Sequence, residues 1–570
     1  MVKPGTRRIR LLSIVFILVT ILLIVRLFSL QIINGALYNK KANKQYVTSV
    51  GDLFDRGSIL FKKKDGTIVS GATVTSGFKL VINPTLLLTD TETLYQQLNT
   101  ITPIDHDNFI TRAGKVTDSY EEIKHHLTKE EADTITALKI KGISIEGENW
   151  RFYPGGRLAS PVIGFMSYSG DVFTGRYGLE RSYNDVLSIK GDKVSINFFA
   201  EIFSSISKTL FSNKEKQGDI VTTIEPTVQA KLEQELRSVM TTESPDSVGG
   251  IVIDPKTGAI IAMAHMPDFD SNNLKDEKNV NVFSNPMIEN VFEMGSIVKP
   301  LTMAAGLDAG VVTADTKYDD KGFVVFNGSK IWNFDKKGRG VIPMQEVLNQ
   351  SLNTGAAFVM QKLGRDQFRN YMLSYGIGQK TGIDLPNEAQ DLVNNLQSTR
   401  DVEYATASFG QGIALTPIAT VSALSVLANG GYLIHPHMVS EIDYKDGTID
   451  KITFPLGKQV LKESTHQEIT RMLVKAVDTA LAGGKLKLEH YSLGAKTGTA
   501  QIAKDGGGGY YDDRYLNSFF GYFPAYDARF LVFMYVVHPR VNQFAGQTLA
   551  NPFLETVKFL ISYYQIPPDR

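Results

Sequence analysis

The chain has 570 residues, of which 43% are hydrophobic and 21% charged, and its formal net charge is zero. This length is too great for one hydrophobic core and indicates about two or three folded domains. The balanced charge gives no reason to expect a nucleic acid as partner. Cysteine is absent, which excludes disulfides, thiolate metal sites and cysteine nucleophiles.

The N-terminal residues predict a membrane anchor. Basic side chains within residues 1–10 precede an apolar run over 11–33, which as a helix would reach about 34 Å, enough to span a bilayer. Arg26 lies near the outer end of this run, where its side chain can extend to the headgroups. A cleavable signal is the alternative, but the run is longer than a signal core and no small-x-small site follows it. We therefore expect a single uncleaved anchor, with residues 1–10 in the cytoplasm and the rest outside.

Residues 34–244 are expected to form a first domain of short strands, turns and polar helices. Two strands are predicted around the turn at Asp65-Gly66, and a helix is predicted over 121–138. His125 and His126 would point apart on that helix, so they predict a solvated surface rather than a metal site. The apolar residues of 198–210 have helical spacing, which favours core packing, with a membrane or a partner helix as alternatives.

Rising polarity at Ser244-Pro245 predicts a boundary, after which residues 245–565 form a second domain. Val248 to His265 reads as a hairpin around a turn, and the chain is then expected to be largely helical from Ser296 to about Asn429. Strands are predicted again at 491–503, 516–523 and 530–537. Strands at both ends of a helical block predict one α+β domain with an antiparallel sheet.

Ser296 and Lys299 are the first candidates for chemistry. Gly295 and Pro300 suit the first turn of a helix, and the apolar residues that follow predict that this helix is buried. A buried lysine with a lowered pKa can take the proton of a serine one turn away, and N–H groups at the helix start can hold an oxyanion. The Ser-x-x-Lys pattern is weak by itself, because Ser205–Lys208 also fits it.

Two further patterns support this site. Ser351-Leu352-Asn353 lies between two predicted helices, where a hydroxyl can relay a proton and an amide can orient a substrate carbonyl. Lys496-Thr497-Gly498-Thr499 opens a predicted strand. There Gly498 would let a substrate backbone approach, and Lys496 offers a cation to a carboxylate or to the catalytic lysine. Other Lys-Thr-Gly triplets, at 256–258 and 380–382, are predicted in a turn and a loop.

The order Ser-x-x-Lys, Ser-x-Asn and Lys-Thr-Gly within one α+β domain resembles the penicillin-binding proteins and the serine β-lactamases. Four other stretches resemble the transpeptidase domain of this family: Asp254–Gly258, Pro267–Asp270, Phe409–Gly412 and Ala428–Gly431. Three earlier stretches resemble the N-terminal dimerisation domain of its class B enzymes: Arg56–Ile59, Arg151–Gly156 and Gly178–Tyr183. The chain departs from the family at Met294, where a proline is usual. The chain is thus similar to a class B penicillin-binding protein of the division or elongation type.

The resemblance implies a fold and a set of site residues. The fold is a transpeptidase domain at 245–565, preceded by an elongated mixed pedestal at 34–244 and one transmembrane helix at 11–33. The implied catalytic residues are Ser296, Lys299, Ser351, Asn353 and Lys496, and the implied substrate-binding residues are Thr497, Gly498 and Thr499. No cofactor and no metal is implied.

The resemblance also implies a reaction. Ser296 would attack the penultimate D-Ala carbonyl of a peptidoglycan stem peptide with Lys299 as base, the N–H groups of Ser296 and Thr499 would hold the oxyanion, and D-Ala would leave. Ser351 would carry a proton to the leaving amine, Asn353 would bind the substrate amide, and Lys496 with both threonines would hold the carboxylate. β-Lactams would acylate the same serine.

Partners and location follow from the same resemblance. We expect a bacterial cytoplasmic membrane protein that meets stem peptides, β-lactams, a membrane glycosyltransferase and the division or elongation machinery. The sequence shows no glycosyltransferase signature between anchor and pedestal, which disfavours a bifunctional class A enzyme. The alternatives are a hydrolase of the D,D-carboxypeptidase or β-lactamase type, and a non-catalytic penicillin-binding sensor or scaffold.

Overall fold

The computed structural model describes residues 17–29, 55–169, 172–188, 217–504, 506 and 508–570. These residues form two compact units. The first unit contains Val74–Arg151 and the described part of Met1–Arg56, and the second contains Gly57–Thr73 with the described parts of Phe152–Ile189 and Lys216–Arg570.

The strands of the described residues are, in chain order, β1 Ile59–Lys62, β2 Ile68–Ile82, β3 Glu121–Leu127, β4 Ile143–Phe152, β5 Met166–Ser169, β6 Val172–Gly175, β7 Gly218–Thr222, β8 Ser247–Ile253, β9 Ile260–Met266, β10 Lys317–Asp320, β11 Phe323–Phe326, β12 Ser329–Trp332, β13 Gly340–Pro343, β14 Val439–Tyr444, β15 Ile449–Lys451, β16 Gly494–Ala503, β17 Tyr510–Phe523 and β18 Phe530–Val537. The longer helices run over Thr91–Asn99, His106–Ala113, Lys129–Ala137, Pro226–Glu243, Lys299–Asp308, Asn353–Leu363, Arg365–Ser374, Pro417–Ser425, Glu463–Thr479 and Ala550–Tyr564.

The first unit is built on a small sheet covered by helices. The later part of β2 pairs antiparallel with β3, from Phe78 opposite Leu127 to Ile82 opposite Glu121, and β4 also pairs with β2. The helices Thr91–Asn99, His106–Ala113 and Lys129–Ala137 contribute their apolar faces to a core that includes Leu80, Phe109 and Ile135.

The prediction of one helix over 121–138 is wrong in its first half. Residues 121–127 form strand β3, in which Glu121, Ile123 and Leu127 are buried while intervening residues are more exposed. The helix begins only at Lys129, and Thr128 caps it. The Thr128 side chain accepts the backbone N–H of Glu131, and the Glu131 side chain accepts the backbone N–H of Thr128. The period of two in the buried positions, followed by Thr-x-x-Glu, is the signal that separates these elements.

The adjacent histidines consequently lie on a strand. The His125 ring is within 2.8 Å of Glu148 and 3.4 Å of Glu122 through its two nitrogens. The His126 ring stacks on Trp150 with 4.2 Å between centroids. Within the described ranges, no group of three or more His, Cys, Asp or Glu side chains could hold a metal ion.

The second unit contains the main sheet, in the antiparallel order β16-β17-β18-β8-β9. One face packs against the helices Pro226–Glu243 and Ala550–Tyr564 through residues such as Val252 and Val532. The other face packs against a helical block that includes Lys299–Asp308. The predicted hairpin at 248–265 is confirmed as β8 and β9, and the α+β fold with an antiparallel sheet is confirmed with it.

The helical block is less uniform than the sequence suggested. Between 317 and 343 the chain forms two small antiparallel pairs, β10 with β13 and β11 with β12. The second pair turns at Asn327-Gly328, a dipeptide that favours tight hairpins because both residues accept positive φ. The dipeptide marks this hairpin in the sequence, and the prediction passed over it.

The described part of the N-terminal apolar run, residues 17–28, is helical and exposed. In the part of the chain that the structure describes, no helix is both long enough and apolar enough to cross a bilayer. The segment 198–210, with Ser205, lies outside the described residues.

Candidate active site

Ser296 lies on a 3-10 turn, Gly295–Val298, that leads directly into the helix Lys299–Asp308. Gly295 has φ +65°, a backbone conformation that favours glycine. A Cβ there would also lie only 3.1 Å from the Cβ of Ala500, so a side chain would crowd the contact with β16. The Gly295 N–H donates to the carbonyl of Gly410 at 3.0 Å. The turn that presents Ser296 is therefore held between β16 and the Phe409–Gly412 segment.

Lys299 is 1% exposed and reaches the Ser-x-Asn segment. Its Nζ donates to the carbonyl oxygen of Ser351 at 2.6 Å and lies 3.2 Å from the Ser351 hydroxyl oxygen. Burial lowers the pKa of Lys299 well below its usual value, and the positive charge of Lys496 lowers it further. Both effects favour the neutral amine, the form that can accept a proton from a hydroxyl.

Ser351 owes its position to an uncommon backbone conformation. It lies between the helices Met344–Asn349 and Asn353–Leu363 and has φ +56°, a value that side-chain-bearing residues rarely adopt. This conformation places its carbonyl and its hydroxyl within reach of the same lysine. Asn353 begins the second helix, and its Nδ2 donates to the carbonyl of Trp332 at 2.9 Å.

Lys496 and Gly498 lie on the buried side of β16. Lys496 is 2% exposed, its Nζ donates to the carbonyl of Thr497 at 2.9 Å, and burial lowers its pKa to about 7. A Cβ on Gly498 would lie 2.4 Å from Ser518 Oγ and 3.2 Å from the backbone nitrogen of Ser296. The strand thus runs directly against the turn that carries Ser296, and only glycine permits this approach.

Thr497 and Thr499 are half-buried and alternate with Lys496 and Gly498 along the strand. The Thr499 hydroxyl oxygen accepts the N–H of Ala545 at 3.2 Å. Among the strands that the structure describes, β16 is the last at its side of the main sheet, so an extended peptide can approach this edge.

The structure therefore brings the predicted residues together. Lys299 follows Ser296 by one helical turn and is hydrogen-bonded to Ser351. Lys496 and Gly498 lie on β16, which runs against the turn that carries Ser296. The Lys-Thr-Gly triplet at 256–258 lies in the turn between β8 and β9, where Lys256 pairs with Asp527.

One contact at the site was not anticipated from the sequence. Tyr510 Oη donates to the two carboxylate oxygens of Glu293 at 3.2 and 3.0 Å, and burial raises the pKa of Glu293. Tyr510 begins β17, so this bond joins the outer part of the β16-β17 hairpin to the segment just before Ser296. The partners are 217 positions apart, and no local spacing pattern relates them.

In chemical terms the site holds a hydroxyl, an amine with a lowered pKa and a second buried cation beside a strand edge. The backbone nitrogen of Ser296 lies against β16 there, 3.2 Å from where a Cβ on Gly498 would be. This set suits nucleophilic acyl transfer through a serine ester, with stabilisation of an oxyanion by backbone groups.

Comparison with known families gives two matches along the chain. Residues 248–558 match the penicillin binding protein transpeptidase domain, and residues 55–223 match the penicillin-binding protein dimerisation domain.

Among curated relatives, the stage V sporulation protein D of Bacillus subtilis is 32% identical over 440 residues, which cover 76% of this chain and 66% of that protein. The peptidoglycan D,D-transpeptidase FtsI of Buchnera aphidicola subsp. Schizaphis graminum is 25% identical over 572 residues, 99% of this chain and 96% of that protein. Among solved structures, penicillin binding protein 2X of Streptococcus thermophilus has a TM-score of 0.71 at 19% identity, covering 89% of this chain and 79% of that one. Penicillin binding protein 3 of Mycobacterium tuberculosis, complexed with aztreonam, has a TM-score of 0.67 at 21% identity, covering 90% and 97%.

Proposed function

The chain belongs to the class B penicillin-binding protein family, and we propose that it is a peptidoglycan D,D-transpeptidase that crosslinks stem peptides through an acyl-enzyme on Ser296. One observation carries the assignment of the site. Lys299, one helical turn from Ser296, is hydrogen-bonded to Ser351. Its burial, together with the positive charge of Lys496, lowers its pKa as a general base requires.

The first half of the reaction forms the ester. Ser296 Oγ attacks the penultimate D-Ala carbonyl carbon while its proton passes to the neutral Nζ of Lys299. The backbone N–H groups of Ser296 and Thr499 hold the oxyanion. The C–N bond then breaks, and the terminal D-Ala leaves as an amine that takes its proton through the hydroxyl of Ser351. The second half forms the crosslink, because the amine of another stem peptide attacks the ester and restores the serine.

The remaining site residues hold the substrate. Asn353 offers its amide to the acyl-D-Ala amide group, and Lys496 with the hydroxyls of Thr497 and Thr499 binds the terminal carboxylate. A β-lactam presents an equivalent carbonyl and carboxylate, and it therefore acylates the same serine.

A fluorescent penicillin tests the assignment. We expect the purified wild type to be labelled covalently and Ser296→Ala to remain unlabelled, since the variant lacks the attacking hydroxyl. Ser205→Ala is the matched control, because it changes another Ser-x-x-Lys match of the chain and should leave labelling intact. Equal labelling of Ser296→Ala and wild type would rule out the assignment.

Product analysis separates transpeptidation from hydrolysis. We expect the protein, supplied with a lipid-linked precursor and a polymerising glycosyltransferase, to release D-Ala and to produce crosslinked peptide dimers. Release of D-Ala with trimmed monomers alone would identify a carboxypeptidase instead.

The proposal extends to location and partners. The basic residues at 1–10 and the apolar run at 11–33 support a single transmembrane helix, with the N-terminus in the cytoplasm and the catalytic unit outside. An anchored enzyme of this kind would work beside a membrane glycosyltransferase and the division or elongation machinery. Deletion of residues 1–33 should release the protein from the membrane fraction. If it stays bound, the anchor lies elsewhere.

A further inference from the structure

Three buried polar side chains lie beneath the first turn of the helix that begins at Asn353. Asp320, at the end of β10, and Asn333, just after β12, are each 1% exposed, and Thr354 is 4% exposed. None of them belongs to the three sequence motifs of the site.

These side chains form a closed hydrogen-bond network. Asp320 Oδ1 accepts from the hydroxyl of Thr354 at 2.9 Å and from Asn333 Nδ2 at 3.0 Å. It also accepts the backbone N–H of Gly322 at 3.0 Å. Asn333 Oδ1 in turn accepts the backbone N–H of Thr354 at 3.2 Å, one of the first-turn donors that a helix leaves without an internal partner. A buried network with these groups paired fixes the segments that it joins.

The network encloses Asn353 from two sides. Thr354 follows Asn353 in the chain, so the bonds to Thr354 fix the backbone that carries the Asn353 side chain. Asn333 follows Trp332, whose carbonyl accepts a hydrogen from Asn353 Nδ2 at 2.9 Å. That bond determines which way the amide of Asn353 is turned, because only its nitrogen can donate.

We propose that Asp320 and Asn333 are positioning residues, which act through Thr354 and the Trp332 carbonyl to hold the Asn353 amide in the orientation that receives the acylamino group of the substrate. This inference rests on the proposed transpeptidase function. Neither residue touches the substrate. Small errors in the placement of a substrate-binding group reduce rates steeply, so loss of the network should slow acylation by ligands that use Asn353.

The test compares two β-lactams that differ only in the acylamino group, benzylpenicillin and penicillanic acid. Asp320→Asn replaces one accepting oxygen with a donor and leaves a network member unpaired. We expect the second-order acylation rate constant for benzylpenicillin to fall about tenfold or more, and that for penicillanic acid to change less than about twofold. Should Asp320→Asn fail to fold, Thr354→Val removes a single hydroxyl of the network and is expected to show the same selectivity in milder form.

Asp308→Asn is the matched control. Asp308 is also buried, and it accepts the Lys462 N–H at 2.8 Å, the Thr465 hydroxyl at 2.8 Å and Tyr371 Oη at 2.9 Å, at the far end of the helix that begins at Lys299. It should lower thermal stability without discriminating between the two ligands.

A double variant completes the test. In the Asn353→Ala background, Asp320→Asn should add no further discrimination, because the group that it positions is gone. Equal slowing of both ligands, or discrimination that persists without Asn353, would overturn the inference. A wild type that neither ligand acylates would instead refute the proposed function.

Discussion

In the proposed reaction two buried lysines of the site have opposite tasks, yet burial lowers the pKa of both. Lys299 must be neutral to accept a proton, and it is fully buried next to another cation. Lys496 must be charged to attract a carboxylate, yet burial lowers its pKa to about 7. A bound carboxylate would raise the pKa of Lys496 again, since an opposite charge favours the protonated form. Substrate binding therefore restores the charge that holds the substrate.

The titration of Lys496 predicts a pH effect on acylation. Its pKa in the free enzyme is about 7, so it is charged below that pH and loses its charge above it. We expect the second-order acylation rate constant for a penicillin to decline as pH rises through about 7 to 8 in the wild type. In Lys496→Arg the guanidinium stays charged, so that decline should be absent even if the rate at neutral pH is lower. Stopped-flow acylation across pH 6 to 9 measures both profiles.

Lys256→Arg provides the comparison, because Lys256 heads another Lys-Thr-Gly triplet in an exposed turn. Its profile should match the wild type. A decline that persists in Lys496→Arg would assign the titration to another group.

At the scale of elements, the site depends on how closely β16 approaches the turn before the helix Lys299–Asp308. Ser518 lies opposite Gly498 in the register of β16 and β17, and its hydroxyl donates to the carbonyl of Met294 at 2.8 Å. The sheet thus holds the turn directly, two residues before Ser296. This contact fixes the turn that carries Ser296 to the β16-β17 hairpin.

Gly498→Ala should disrupt that approach. The added Cβ would lie 2.4 Å from Ser518 Oγ and 2.7 Å from the Met294 carbonyl oxygen, so strand and turn must separate. We expect penicillin acylation to slow about 100-fold or more, as for loss of an oxyanion donor, with a stability cost of about 1 to 3 kcal/mol. Gly147→Ala, where a Cβ meets nothing within 4 Å, should change neither. Near-normal acylation of Gly498→Ala would show that the contact is not needed for catalysis.

Local chemistry made part of this architecture predictable. The spacing of Ser296 and Lys299, the proline early in their helix and the turn residues of the β8-β9 hairpin act over a few positions, and sequence patterns record such effects. The order of the three motifs then indicated a known family, and the resemblance to that family supplied the expected role of each residue.

Other features depend on distant partners and could not be predicted in this way. The bond between Tyr510 and Glu293 and the network around Asp320 join residues that meet only in the folded chain. The positive φ of Ser351 is likewise imposed by the helices on either side. Strand β3 is a different case, because its alternation and the following capping box were present in the sequence.

At the scale of the whole molecule, the two units have separate hydrophobic cores. Leu80, Phe109 and Ile135 belong to the core of the first unit, whereas the residues around Ser296 belong to a core of the second. Separate cores favour separate unfolding transitions. The two tryptophans of the chain divide between the units, with Trp150 in the first and Trp332 in the second. In Trp332→Phe the remaining Trp150 reports by fluorescence on the first unit alone, and in Trp150→Phe the remaining Trp332 reports on the second unit alone.

Acylation should stabilise one unit selectively. A covalently bound penicillin exists only on the folded site, so it favours the folded state of the second unit. We expect the melting temperature reported by Trp332 to rise by several degrees after acylation, while that reported by Trp150 stays constant. A matching rise at both tryptophans would show that the units unfold together.

Alkaline pH should destabilise the other unit selectively. Hydrogen bonds to Glu122 and Glu148 raise the pKa of His125 to about 9, above the value of about 6.5 for an unfolded chain. The protonated ring therefore stabilises the first unit fully below pH 6.5, and this contribution disappears as pH rises through 9. Because the ring is half-exposed, we expect a loss of about 1 kcal/mol, seen as a lower melting temperature at Trp150. His125→Gln should remove this pH dependence, whereas His490→Gln, which changes an exposed histidine of the second unit, should preserve it. An unchanged pH profile in His125→Gln would mean that the pair of carboxylates does not hold a proton on this ring.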